Sequence, residues 1–143
     1  MNKTSYRNRA RANFRVVEAE LYAYKDSLKE LIDWKNGIYD RGGKSDLPIR
    51  AKGHGDQTLS KVCSIMMDKH FMEQERRIKA IQKTMELLKE NHPEMLKLLE
   101  LLYFIEGNTT VSVSRKLNIS EATLYRWRKA LIKLIADELG FMI

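Results

Sequence analysis

The chain has 143 residues, 43% hydrophobic and 31% charged, with 26 Lys and Arg against 19 Asp and Glu and a formal net charge of +7. This composition excludes a disordered tail and leaves room for one compact domain, or a small domain with a helical arm. The basic excess points toward a polyanionic partner, because each phosphate neutralised by Lys or Arg releases condensed counterions.

Residues 1–15 carry Lys3, Arg7, Arg9, Arg11 and Arg15 and no acid. They read first as the solvated start of a helix and second as a basic arm lying along phosphates or in a minor groove. Phe14, Val17, Leu21, Tyr24, Leu28 and Leu31 then recur at alternating steps of three and four. That is a heptad seam on one helix. It has two readings: pairing with its copy in a homodimer, or packing on another helix of the same chain. The pattern stops at Asn36-Gly37, a good C-cap pair, so residues 1–36 form a basic arm and heptad helix.

Residues 37–57 hold Gly37, Gly42, Gly43, Gly53, Gly55 and Pro48 and are expected to form a loop. Gly42-Gly43-Lys44-Ser45 lacks the spacing of a phosphate-binding loop. A long helix is expected over 58–90, with Leu59, Val62, Met66, Met67 and Phe71 on one stripe and Ile78, Ile81, Met85 and Leu88 continuing it. Gln74 interrupts that seam and marks a place for a bend. Pro93 suits the first turn of the next helix, capped by Asn91 or His92. That helix, about Glu94 to Glu106, is apolar on most sides through Met95, Leu96, Leu98, Leu99, Leu101, Leu102, Phe104 and Ile105 and belongs at a domain centre. No segment alternates like a strand. The expected fold is all-α: long N-terminal helices, as a helical hairpin or coiled coil, followed by a helix-turn-helix domain over 91–143.

The informative stretch is Thr110 to Leu139. Val111, Val113 and Leu117 are expected on one face of a short helix, with Ser114 small enough for close helix approach. Asn118 tolerates the left-handed turn conformation, Ile119 plugs the corner, and Ser120 caps a second helix with Glu121 in its first turn. Leu124, Trp127, Leu131, Leu134, Ile135 and Leu139 form the buried stripe of that helix, and Gly140 ends it. The opposite side presents Glu121, Ala122, Tyr125, Arg126 and Lys129 as candidates for reading DNA bases. Arg126 suits guanine, Glu121 a cytosine amine or a plain dipole role, and Ala122 a thymine methyl. Arg115, Lys116, Ser120, Thr123, Arg128 and Lys133 are candidate phosphate contacts.

The run Ile119-Ser120-Glu121-Ala122-Thr123-Leu124-Tyr125-Arg126-Trp127-Arg128-Lys129, with Ile135-Ala136-Asp137-Glu138-Leu139-Gly140, resembles the C-terminal end of RinA/ArpU-type phage transcriptional regulators. Upstream, the basic helix, the segment Arg41-Gly42-Gly43-Lys44-Ser45-Asp46-Leu47-Pro48 and the helix ending Leu101-Leu102-Tyr103-Phe104 follow a similar order. One departure is Val111-Ser112-Val113-Ser114, where such proteins often carry an acidic residue and Ala. The resemblance implies a C-terminal domain akin to region 4 of sigma factors. It also implies an activator of late operons for packaging, morphogenesis or lysis, at work on DNA in the cytoplasm of a bacterial host. Two alternatives stand beside it: a small terminase subunit, expected to assemble into a ring, and an adaptor that binds RNA polymerase.

Cys63 is the only cysteine, which excludes an intrachain disulfide and suits a reducing compartment. His54, His70 and His92 are far apart in sequence, so no metal or other cofactor is expected. No acid pair or nucleophile–base arrangement suggests an enzyme. The apolar run Leu101–Ile105 is far short of the roughly 20 residues that span a bilayer. The basic N-terminus lacks a following apolar segment, so neither a membrane span nor a signal peptide is expected.

Overall fold

The computed structural model describes residues 2–37 and 54–143. Among the described residues every element is helical: α1 (Lys3–Lys35), α2 (His54–Asn91), α3 (Pro93–Leu99), a π-helical turn at Glu100–Phe104, α4 (Thr110–Leu117) and α5 (Glu121–Leu139). No helix among them is long and apolar enough to cross a membrane. Residues 38–53, most of the expected loop, lie outside the described residues. The expected loop end at Gln57 is corrected, since α2 already begins at His54. The chain divides into two compact units: Met1–Lys25 with Arg77–Ile143, and Asp26–Arg76.

The first unit is built around α5. Its 19 residues bury Leu124, Leu131, Ile132, Ile135, Ala136 and Leu139. These positions recur at helical spacing, and each fully buried Leu or Ile contributes about 1.5–3 kcal/mol relative to exposure. Leu134, expected on the stripe, is instead 44% exposed, and Ile132 and Ala136 fill the face in its place. α3 and α4 pack against α5, and Val113 of α4, Leu98 and Leu99 of α3, and Leu102 and Tyr103 of the π turn are buried in the same unit. From α1, Val17, Leu21 and Tyr24 are also buried in this unit, and from α2 Ile78, Ile81, Thr84 and Leu88. The Thr84 hydroxyl meets its hydrogen-bonding need by donating to the Ala80 carbonyl at 3.0 Å.

The third helix departs from the uniform helix expected to Glu106. Pro93 occupies its first turn after His92, as its missing N–H allows, and no side chain caps it. At Glu100 the chain widens into a π turn, closed by the Ile105 N–H donating to the Glu100 carbonyl at 3.1 Å. The Leu101 carbonyl accepts from Asn108 Nδ2 at 3.0 Å, and Phe104 stacks on Tyr24 with centroids 4.9 Å apart.

In the second unit, Leu31 and Phe71 are buried, and Trp34 stacks on Phe71 with centroids 5.0 Å apart. Gln74 is also buried, and its amide nitrogen donates to the Ser27 carbonyl at 3.1 Å and to Glu30 Oε2 at 3.2 Å. The place marked for a bend is therefore a buried polar anchor inside a continuous α2. Lys35 and Glu75 pair nearby at 2.5 Å. Residues 57–70 are exposed throughout, including Leu59, Val62, Met66, Met67 and the thiol of Cys63. Of the expected first stripe of α2, only Phe71 is buried.

The heptad seam of α1 is used within the chain. Val17, Leu21 and Tyr24 are buried in the first unit and Leu31 in the second, while Phe14 and Leu28 are half-buried. Pairing of this seam with a copy would require that packing to open.

Candidate nucleic-acid interface

Local chemistry builds the corner between α4 and α5. The Ser112 N–H donates to Thr109 Oγ1 at 3.1 Å and the Thr109 N–H donates to Ser112 Oγ at 2.8 Å, a reciprocal cap that starts α4. Asn118 ends α4 in the left-handed region at φ 53°, the only non-glycine there among the described residues. The Ile119 N–H donates to the Ser114 carbonyl at 3.0 Å and the Asn118 N–H to the Arg115 carbonyl at 3.1 Å, which satisfies the last carbonyls of the helix. Ser120 then caps α5 by accepting from the Thr123 N–H at 3.1 Å. Gly140, at φ 79°, closes α5 in the same manner, with the Phe141 N–H donating to the Ala136 carbonyl at 2.8 Å.

Within α4, Val113 and Ser114 are buried while Val111 is 40% exposed. The expectation that Val111 and Val113 share a face is corrected: residues two apart sit about 200° apart around a helix. Leu117, Ile119 and Trp127 are half-buried at the corner.

The side of α5 away from its core carries Glu121, Ala122, Tyr125, Arg126 and Lys129, all exposed. Tyr125 is 49% exposed. Arg126 Nη2 donates to Thr123 Oγ1 at 3.3 Å, a neutral partner, and forms no ion pair among the described residues. Lys133 lies one turn beyond Lys129 and is exposed as well.

The candidate phosphate contacts divide. Arg115 and Lys116 project from the last turn of α4, and Lys116 Nζ donates to Asn108 Oδ1 at 2.6 Å. Ser120 and Thr123 are engaged in the cap, where the Ser120 hydroxyl donates to Thr123 Oγ1 at 2.9 Å. Arg128 is the correction. It turns inward, where its Nε donates to Glu18 Oε1 at 2.7 Å and to the Tyr103 oxygen at 3.3 Å. Its Nη2 also donates to Glu18 Oε1, and its guanidinium lies 5.5 Å from the centre of the Phe14 ring. The Tyr103 hydroxyl donates to the same Glu18 oxygen at 2.7 Å.

This cluster is electrostatically closed. Burial, then the bond to Glu18, push the Tyr103 phenol well above its ordinary range, with Arg128 opposing, so Tyr103 stays a neutral donor. Burial works against the charge of Arg128, but its bonds to Glu18 and Tyr103 together outweigh it and raise the guanidinium. A cation already committed to a carboxylate is poorly placed for phosphate. The cluster instead ties α1 to α5 and to the π turn within the first unit.

A groove of about 490 Å³ also runs between α1 and α5, lined by Arg7, Arg11, Phe14, Arg15, Lys129 and Lys133 among others. The chain matches no family model, no curated protein and no solved structure.

Proposed function

We propose that the protein binds duplex DNA sequence-specifically, with α4 and α5 as a helix-turn-helix and α5 in the major groove. The observation that carries this reading is the two-sided character of α5. One side buries Leu124, Leu131, Ile132 and Ile135, and the other leaves Ala122, Tyr125, Arg126, Lys129 and Lys133 facing solvent, with no ion pair to an acid among the described residues. A recognition helix needs that division, because its N-terminal residues approach base edges while its back is held by the domain. Arg126 is the residue suited to bidentate pairing with guanine. The resemblance to RinA/ArpU-type regulators supports a role as a phage transcriptional activator of late genes.

Selection of bound duplexes from a random pool, at stated salt, tests this reading. An enriched motif is expected. Arg126→Ala should then cost about 1–3 kcal/mol on that motif and much less on random DNA. Equal loss on both would make Arg126 a phosphate contact, and no enrichment at all would refute sequence-specific binding.

The exposed apolar side chains of α2, Leu59, Val62, Ile65 and Met66, favour one second reading, an oligomeric DNA-packaging subunit. Sedimentation of the full chain separates the two: a ring of many subunits supports packaging, and a monomer or dimer supports regulation.

A further inference from the structure

We propose that the first four turns of α1 are a phosphate clamp, in which Arg7, Arg11 and Arg15 join Lys129 and Lys133 of α5 to hold the backbone of the duplex that α5 reads. The inference rests on the DNA-binding reading above and adds a second element to that surface.

Arg7, Arg11 and Arg15 are spaced four apart, so each is displaced only about 40° from the last and all three share one side of α1. All three are exposed. Arg9 points elsewhere, about 200° around the helix from Arg7. The arginine row of α1 and Lys129 and Lys133 of α5 line the same groove, together with Phe14. Lys129 and Lys133 sit on the same side of α5 as Tyr125 and Arg126, one and two turns further along. The cationic surface therefore continues from the candidate base-reading residues across to α1.

Two features make this an organised site. First, none of the five cations forms an ion pair with a described carboxylate, whereas Lys35, Arg76, Arg77, Lys83 and Arg128 all do. Glu18, the nearest acid along α1 to the arginine row, is consumed by Arg128 and Tyr103. Second, α1 is fastened at this place. The Glu18–Arg128 pair ties it to α5, and Asn13 Nδ2 donates to the Met142 carbonyl at 2.7 Å. Five like charges held side by side repel one another, and a polyanion relieves that repulsion. From Arg7 to Arg15 the helix rises about 12 Å, the span of three to four phosphates along one strand of a duplex.

The test compares full-length wild type, the triple variant Arg7→Ala/Arg11→Ala/Arg15→Ala, the charge-keeping triple Arg7→Lys/Arg11→Lys/Arg15→Lys, and Arg9→Ala. Each is titrated with the selected duplex between 50 and 200 mM salt. Three lost phosphate contacts lower the slope of log affinity against log salt by about 2.7, so the alanine triple should lose about 40-fold less affinity over that range than wild type. The lysine triple and Arg9→Ala should keep the wild-type slope. If the alanine triple keeps the slope while wild type still selects a motif, the clamp is refuted and the reading of α5 stands. If Arg9→Ala lowers the slope as much as one-third of the triple does, net charge and not placement is responsible, which also refutes the clamp. If wild type selects no motif, both fall. If the alanine triple loses helical signal, the single variants Arg7→Ala, Arg11→Ala and Arg15→Ala decide: each should lower the slope by about 0.9, and an unchanged slope in all three refutes the clamp.

Discussion

The α4–α5 corner and the first turns of α2 start from similar sequence material and end differently. Both carry large apolar side chains at steps of three and four. In α5 those side chains meet α3 and α4 and vanish from solvent, whereas Leu59, Val62 and Met66 in α2 remain in it. Helical spacing says which side of a helix asks for a partner; it does not say that the partner is present.

That contrast can be broken most directly by truncation. Leu124→Ala should destabilise the fold by about 2–5 kcal/mol in urea denaturation, because it truncates a fully buried side chain of α5 and leaves a cavity. Leu59→Ala should stay within about 0.5 kcal/mol of wild type. Equal costs would mean that the α2 stripe is packed in solution.

The next largest effect belongs to the cluster beneath α5. Glu18→Gln should cost about 2–3 kcal/mol, since it strips the carboxylate from a guanidinium that is only 25% exposed. A coupled cycle with Arg128→Met checks this: the double variant should recover part of the loss. Additivity of the two would show that they do not interact.

Smaller effects sharpen the corner itself. Ser120→Ala removes the cap of α5 and should cost about 1 kcal/mol in the same assay. Asn118→Gly should be neutral to within a few tenths of a kcal/mol, because glycine accepts φ 53° without strain. Asn118→Val should cost more than 1 kcal/mol there. If valine were tolerated, the turn would not need its left-handed residue.

The corner was legible in the sequence because every part of it is local. Asn118, Ser120, Thr123 and Gly140 act on backbone groups within five residues of themselves, so a short window contains both partners of each bond. The core stripe of α5 was legible except at Leu134, which is exposed, and Trp127, which is only half-buried, because one-turn spacing alone did not separate an edge position from a central one. Arg128 was not legible as an inner residue, because its carboxylate is 110 positions away and no local pattern links them. The exposure of Leu59, Val62, Met66 and Met67 was hidden for the complementary reason: their spacing is that of a packed helix, and only the fold shows that among the described residues they stay in solvent. The arginine row on α1 was visible as charge, but its meaning depends on Lys129 and Lys133 across the groove.

Cys63, alone of its kind and open to solvent on α2, has a practical consequence. Two copies meeting in air are free to join through an intermolecular disulfide, with dissolved oxygen taking up the two electrons and two protons, and no internal thiol competes for the exposed sulfur. Subunit counts taken without reductant would then report sulfur chemistry as assembly, so Cys63→Ser is the form in which stoichiometry is best measured. The same thiol accepts a single maleimide dye, and it gives one defined position from which fluorescence anisotropy can follow the duplex.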